Sequence, residues 1–170
     1  VMLAPPRHAF RRGITASADL PGDCEAAYAL LCDPGFVGRS APFIRRITPL
    51  AEDLWRWEVG GISYPGGSFA AGFTQRMTFD APHAISFHHD PAAAARGARG
   101  TRRAELAGAE GVFRVAPRPG DGVRVDLEMS VEAQVPAPRA AAPIVESAMG
   151  AVLVLMRDRF TAALQQELAP

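Results

Sequence analysis

Hydrophobic and polar residues alternate along most of this chain, and the alternation predicts strands. From Val123 onward, Val123, Val125, Leu127, Met129, Val131 and Ala133 fall on one face and Arg124, Asp126, Glu128, Ser130, Glu132 and Gln134 on the other. A strand of this kind has one dry and one wet side. Arg12 to Leu20 repeats the pattern with Ile14, Ala16, Ala18 and Leu20, and Pro21-Gly22 stops it. Further strand-like runs cover 43–50, 54–59, 69–79, 85–89 and 106–115. Trp55, Trp57 and Val59 share a face opposite Arg56 and Glu58; Phe73, Gln75, Met77 and Phe79 share one opposite Thr74, Arg76 and Thr78. Gly60-Gly61 and Pro65-Gly66-Gly67 are expected to interrupt the chain before Phe69, and Gly108 and Gly111 to mark irregular pairing that absorbs a bulge. Pro117 to Gly122 reads as a hairpin connection.

The period changes near the C-terminus. Val145, Met149, Val152, Met156, Phe160, Leu164 and Leu168 recur at steps of three and four, which predicts one helix from near Ala141 to Leu168. Its roughly 28 residues would span about 42 Å, enough to cross a sheet and cover its dry face. A glycine inside a helix costs about 1 kcal/mol against alanine, so Gly150 marks a bend or a close approach. Asp23 is placed to cap a helix over Cys24 to Leu31, Asp33-Pro34-Gly35 to end it, and a shorter turn follows over Phe36 to Arg39. The expected class is α+β: a curved antiparallel sheet of about six or seven strands around a long C-terminal helix, with one or two short helices after the first strand. A single domain is expected, with its core over about residues 12–168, a loose start at 1–11 and a mobile loop at 90–101.

Composition narrows the chemistry. A chain of 170 residues suffices for one domain with a substantial core. Its 18 basic and 18 acidic residues cancel, so no overall field recruits a polyanion, and a nucleic-acid role would have to rest on a local patch. Every basic residue is arginine, which excludes Schiff-base lysine chemistry and a phosphate loop that uses lysine. Arg96, Arg99, Arg102 and Arg103 crowd one loop, read as solvated or as a phosphate or nucleic-acid contact. Cys24 and Cys32 would stand roughly 12 Å apart along one helix, too far for a disulfide, and are expected as reduced packing residues. No metal-ligand spacing accompanies them, and nothing points to a cofactor. The N-terminus lacks a signal-like apolar run, and the longest apolar stretch, Met149 to Met156, falls short of the ~20 residues that a bilayer span needs. A soluble, cytoplasmic protein without a membrane span is expected; oligomeric state is not legible.

Several segments resemble the START-like (SRPBCC) superfamily of polyketide cyclase/dehydrase-like and birch-pollen-allergen-like proteins. Ala27-Tyr-Ala-Leu-Leu-Cys-Asp-Pro34 is similar to that family's first helix, with Tyr28 where tryptophan is common. Leu54 to Val59, Pro82 to Phe87 and the Gly122-Val-Arg-Val approach to the last strand continue the likeness. The segment from Asp90 to Arg103 is longer than the family pattern. The resemblance implies a helix-grip fold with an apolar cavity between sheet and C-terminal helix, used in the family for lipids, polyketides, hormones or protein contacts.

Candidate site residues follow from the faces. If Phe79 opposes Ile85 and Met77 opposes Phe87, every large apolar side chain of that hairpin points inward, whereas a slip by one residue would bring in Ser86 and His88. Gln75 then opposes His89 on the concave face. That pair is read either as a polar anchor for a ligand, with His89 the one candidate acid or base, or as a satisfied cross-strand hydrogen bond. Trp55, Trp57, Phe73, Met77, Phe87, Phe113, Met129, Met149, Val152 and Met156 are either cavity wall or ordinary core. No nucleophile triad is present, and Asp126, Glu128 and Glu132 lie on the wet face by parity. Three readings follow: a protein that binds a hydrophobic small molecule, a cyclase/aromatase-type enzyme using the same cavity, and an interaction module using the Arg96–Arg103 loop.

Overall fold

The computed structural model describes residues 3, 5–64, 67–93 and 104–170. Seven antiparallel strands form one sheet: β1 (His8–Leu20), β2 (Ile44–Ala51), β3 (Leu54–Tyr64), β4 (Gly67–Asp80), β5 (Ala84–His89), β6 (Ala107–Pro117) and β7 (Val123–Val135). Their order is β1-β7-β6-β5-β4-β3-β2. Two short helices, α1 (Cys24–Leu31) and α2 (Pro34–Ser40), follow β1, and the long helix α3 (Ala142–Leu168) ends the chain. The expected α+β helix-grip architecture is the observed one.

Local chemistry fixes the elements. Asp23 accepts a hydrogen bond from the Ala26 backbone N–H at 2.8 Å and starts α1. Asp33 does the same for Gly35 at 2.9 Å and opens α2, with Pro34 in its first turn. The Asp33-Pro34 pair therefore starts a helix as well as ending one. Strand β1 begins at His8, ahead of the Arg12 read from the alternation. β3 runs through Gly60-Gly61 without a break: its pairing with β4 shifts between Val59 and Ile62, and Gly61 takes φ +76° there. The bulge expected in β6 is absent, because β6 and β7 stay in one register from Ala107↔Ala133 to Pro117↔Val123. Gly108 and Gly111 serve close approach instead. A Cβ on Gly108 would collide with the His89 ring, and one on Gly111 with the backbone oxygen of Glu128.

Helix α3 follows β1 along the concave side. Val145 and Met149 pack near Phe10, Ala133 and Val135, and Leu164 and Leu168 sit in the main core with Leu20, Ala27, Leu31 and Phe36. Gly150 makes a close approach: a Cβ there would stand 3.0 Å from Cζ of Arg12, whose guanidinium lies against the helix. The uncharged stretch of α3 exceeds Met149 to Met156, since only Glu146 interrupts residues 140–156. By length and mean hydropathy the segment Arg139–Leu168 could cross a bilayer. One such helix, judged by length and composition alone, is weak evidence of a span. Ile144, Val154 and Leu155 lie on its exposed side.

Candidate functional site

The concave face assembles as the alternation requires. Trp55 pairs with Gln75 and Trp57 with Phe73 across β3 and β4. Across β4 and β5, Gln75 pairs with His89, Met77 with Phe87 and Phe79 with Ile85, the register that burial favoured. On the far side, Phe87 meets Gly111, Gly111 meets Met129, and Phe113 meets Leu127. Trp55, Phe73, Met77, Ile85 and Phe87 are buried. Trp57, Phe113, Leu127 and Met129 on the sheet, and Met149, Val152, Met156 and Phe160 on α3, keep part of their surface accessible. Phe79, at the strand end, is 39% exposed and leans on Trp55, with ring centroids 6.1 Å apart.

The two polar members of the expected pair part company. His89 turns its Nε2 to Glu105, 2.8 Å away, and its ring stands edge-on to Phe73. The Glu105 carboxylate, 7% exposed, accepts three further hydrogen bonds. They come from Thr74 N–H at 2.9 Å, Thr74 Oγ1 at 2.8 Å and Arg56 Nη1 at 3.1 Å. Its partners fill all its acceptor directions, so His89 donates from Nε2 in this contact. Glu105 was not among the residues singled out from the sequence. Gln75 is 1% exposed, and its Oε1 has no partner; the indole Nε1 of Trp57 is likewise buried and unpaired. Each such atom costs about 1–3 kcal/mol.

Two hollows lie on the wet side of the sheet. One, about 280 Å³, is bounded by Arg11, His88, His89, Gly108, Glu110 and Glu132. It sits where β5 and β6 separate, since their pairing ends at Phe87↔Gly111 while β6 continues along β7. The other, about 710 Å³, is an open trough over Gly13, Thr15, Val112, Arg114, Glu128 and Ser130. Its rim is charged and self-paired, as in Arg11–Glu110 at 2.8 Å and Arg114–Glu128 at 3.8 Å. Neither lies between the sheet and α3.

The wet-side charges pair locally. Arg76 bridges Asp53 and Asp90 at 3.0 and 3.1 Å, Arg46 meets Glu58 at 2.8 Å, and Arg124 holds Asp19 at 3.0 Å. The hydrogen bond from Arg124 keeps the Asp19 carboxyl below its ordinary range. Cys24 and Cys32 are both free and half-buried, and burial pushes the Cys32 thiol up. Among the described residues, no group of three or more His, Cys, Asp or Glu could hold a metal ion. Arg96, Arg99, Arg102 and Arg103 lie outside the described residues, as does most of the 90–101 loop.

No protein-family model and no curated protein sequence matches this chain. Solved structures do. A conserved protein from Geobacillus kaustophilus superposes with a TM-score of 0.67 at 18% identity, over 94% of this chain and 95% of that one. A START superfamily protein from Mycobacterium smegmatis gives 0.63 at 16% identity, over 91% and 97%. The Zhui aromatase/cyclase from a Streptomyces species gives 0.61 at 11% identity, over 93% of each chain. With the strand order, the paired short helices and α3 seated along the concave side, these likenesses identify the architecture: the chain has the START-like helix-grip fold.

Proposed function

We propose that this protein binds a hydrophobic small molecule, of lipid or polyketide type, between the concave sheet and α3. One observation carries the reading. Apolar side chains of the concave face and of α3, Trp57, Phe113 and Met129 from the sheet and Met149, Val152 and Met156 from the helix, are only partly buried. A filled core would close over them; flexible methionines suit a wall that adapts to a guest. The fold-mates include a START superfamily protein and aromatase/cyclases, which supports a ligand-holding role at that general level. A cytoplasmic location fits two unpaired cysteines. The test is the equilibrium binding of an apolar fluorescent probe. It is expected to bind one to one, and Val152→Trp, which fills the space from the helix side, is expected to abolish binding while the protein stays folded. Unchanged binding in that variant would overturn the reading.

A second reading, an enzyme of the cyclase/aromatase sort, is favoured by the His89–Glu105 pair. A buried carboxylate that accepts from Nε2 holds the imidazole in one orientation, as an acid or base needs. Loss of turnover in both His89→Ala and Glu105→Gln would support it. Full turnover in His89→Ala would remove it.

A further inference from the structure

We infer that the outer face of the N-terminal half of α3 docks on the surface of a lipid bilayer, with its apolar side chains at the headgroup boundary and the arginines around them on anionic phosphates. This contact is separate from any guest held between the sheet and the helix.

The outer positions of α3 carry a second apolar stripe. Ile144, Ala148, Ala151 and Leu155 recur at steps of four, three and four, flanked by Ser147 and Val154, and all six are exposed. Of the six large apolar side chains exposed among the described residues, Ile144, Val154 and Leu155 make up three, so exposed apolar surface gathers here. The helix is thus apolar on both sides, yet only 6% of its most apolar 18-residue stretch is buried. A helix that is apolar all round is normally covered all round, and the outer stripe has no cover within the protein. The second half of the same helix supplies the contrast. Beyond Leu155 the exposed positions include Asp158, Arg159, Gln165, Gln166 and Glu167, an ordinary face for water. Glu146, the one charge between Arg139 and Arg157, is half-buried and lies off the exposed stripe.

Charge selects the occupant. Arg139 stands just before the stripe, Arg159 just after it, and Arg12 rests on the same helix at Gly150. All three are exposed and have no hydrogen-bond or ion-pair partner among the described residues. Arginines on the wet face of the sheet, by contrast, hold carboxylates, as Arg11, Arg46, Arg76 and Arg124 do; Arg157 is taken by its neighbour Asp158. Unpaired guanidinium groups around an apolar surface fit anionic phosphate headgroups. A second copy of the chain fits worse. In an antiparallel pairing along this stripe, Arg139 of each copy would meet Arg159 of the other, like charge against like. The stripe itself, roughly 17 Å long and 10 Å wide, falls well short of the ~800 Å² per partner of a stable protein interface. The helix lies on the bilayer rather than across it, because Leu153, Leu164 and Leu168 on its inner side are buried against the rest of the fold.

Co-sedimentation with vesicles tests this. The full chain is expected to bind phosphatidylcholine vesicles that contain about one-third phosphatidylglycerol at least about tenfold tighter than phosphatidylcholine alone, and to lose that margin as salt screens the arginines. Leu155→Glu puts a charge into the exposed stripe and is expected to weaken binding to the mixed vesicles at least about tenfold, at an unchanged melting temperature; Ile144→Ser, at the most exposed position, is expected to weaken it in the same direction. The double variant Arg139→Gln, Arg159→Gln is expected to bring the two kinds of vesicle to within about threefold of each other. No binding of the parent to the mixed vesicles would overturn the inference. Full binding by both Leu155→Glu and Ile144→Ser would overturn it too, since another group, such as Arg96, Arg99, Arg102 and Arg103, would then hold the headgroups. A parent that ignores vesicles but forms a dimer that Leu155→Glu dissolves would assign the stripe to a second copy instead.

Discussion

The two ends of α3 meet the same sheet in different ways. Toward the C-terminus, Leu164 and Leu168 are buried in the main core, and Phe160 packs between Phe36 and Phe113 with ring centroids 5.9 and 6.1 Å apart. α1 and α2 close this end, adding Ala27, Leu31, Phe36 and Val37 to the same cluster. Toward the N-terminus neither α1 nor α2 joins the contact. Val145, Met149, Val152 and Met156 are only half-buried there, although Leu153 between them is buried. One amphipathic helix is thus buried at one end and only partly covered at the other, so apolar periodicity alone does not separate packing from a proposed ligand wall. What separates them is whether a second layer covers the contact.

That contrast can be broken by truncation. Leu164→Ala should cost about 3 kcal/mol in urea denaturation, because the closed end relaxes little around a cavity. Met149→Ala and Met156→Ala should each cost under about 1 kcal/mol, because those side chains already lack part of their packing. Equal losses at the two ends would mean that α3 is packed uniformly and that there is no open end.

The closed end should also show in alkali. Desolvation, with the Cys32 thiol adding to it, pushes the Tyr28 hydroxyl up from 10.0 to about 12. Its folded value lies above the unfolded one, so the unfolded chain loses that proton first. Stability is unaffected by this group below about pH 10 and falls between pH 10 and about 12. Tyr28→Phe should flatten the fall, as read from melting temperatures across that range; an unchanged slope would place the hydroxyl in contact with water. A smaller effect of opposite sign is expected at Gln75. Gln75→Leu removes a buried unpaired oxygen and should stabilise the unliganded protein by about 1 kcal/mol. A loss of that size would mean that Gln75 is satisfied.

Much of this was legible from residue order. The Gln75↔His89 register follows from burial of Met77, Phe87 and Ile85, because a slip by one residue turns every side chain over. The long helix, the Asp23-capped first helix and the strand inventory follow from period and capping chemistry, whereas Asp33 was read only as an end and also starts α2. Glycines were harder to read, since a pattern shows that a position needs no side chain without showing why. Gly60-Gly61 looked like a break and is a bulge within β3; Gly108 and Gly111 looked like a bulge and admit the His89 ring and a neighbouring strand's backbone. Gly150, flagged as a bend or a close approach, proved to be the seat of Arg12. Glu105 escaped notice because parity speaks only for residues inside strands. It precedes β6 and reaches Thr74, Arg56 and His89 from outside the ladder. Its only sequence signal is a lone carboxylate beside an arginine-rich run.

Space between the sheet and the N-terminal part of α3 is tested most directly by methyl spectra of methionine-labelled protein titrated with naphthalene. Met129, Met149 and Met156 face that space from both sides and should shift together, saturating at one equivalent. Spectra in which these three methyls stay fixed at saturating naphthalene would show that the helix and sheet are packed shut there.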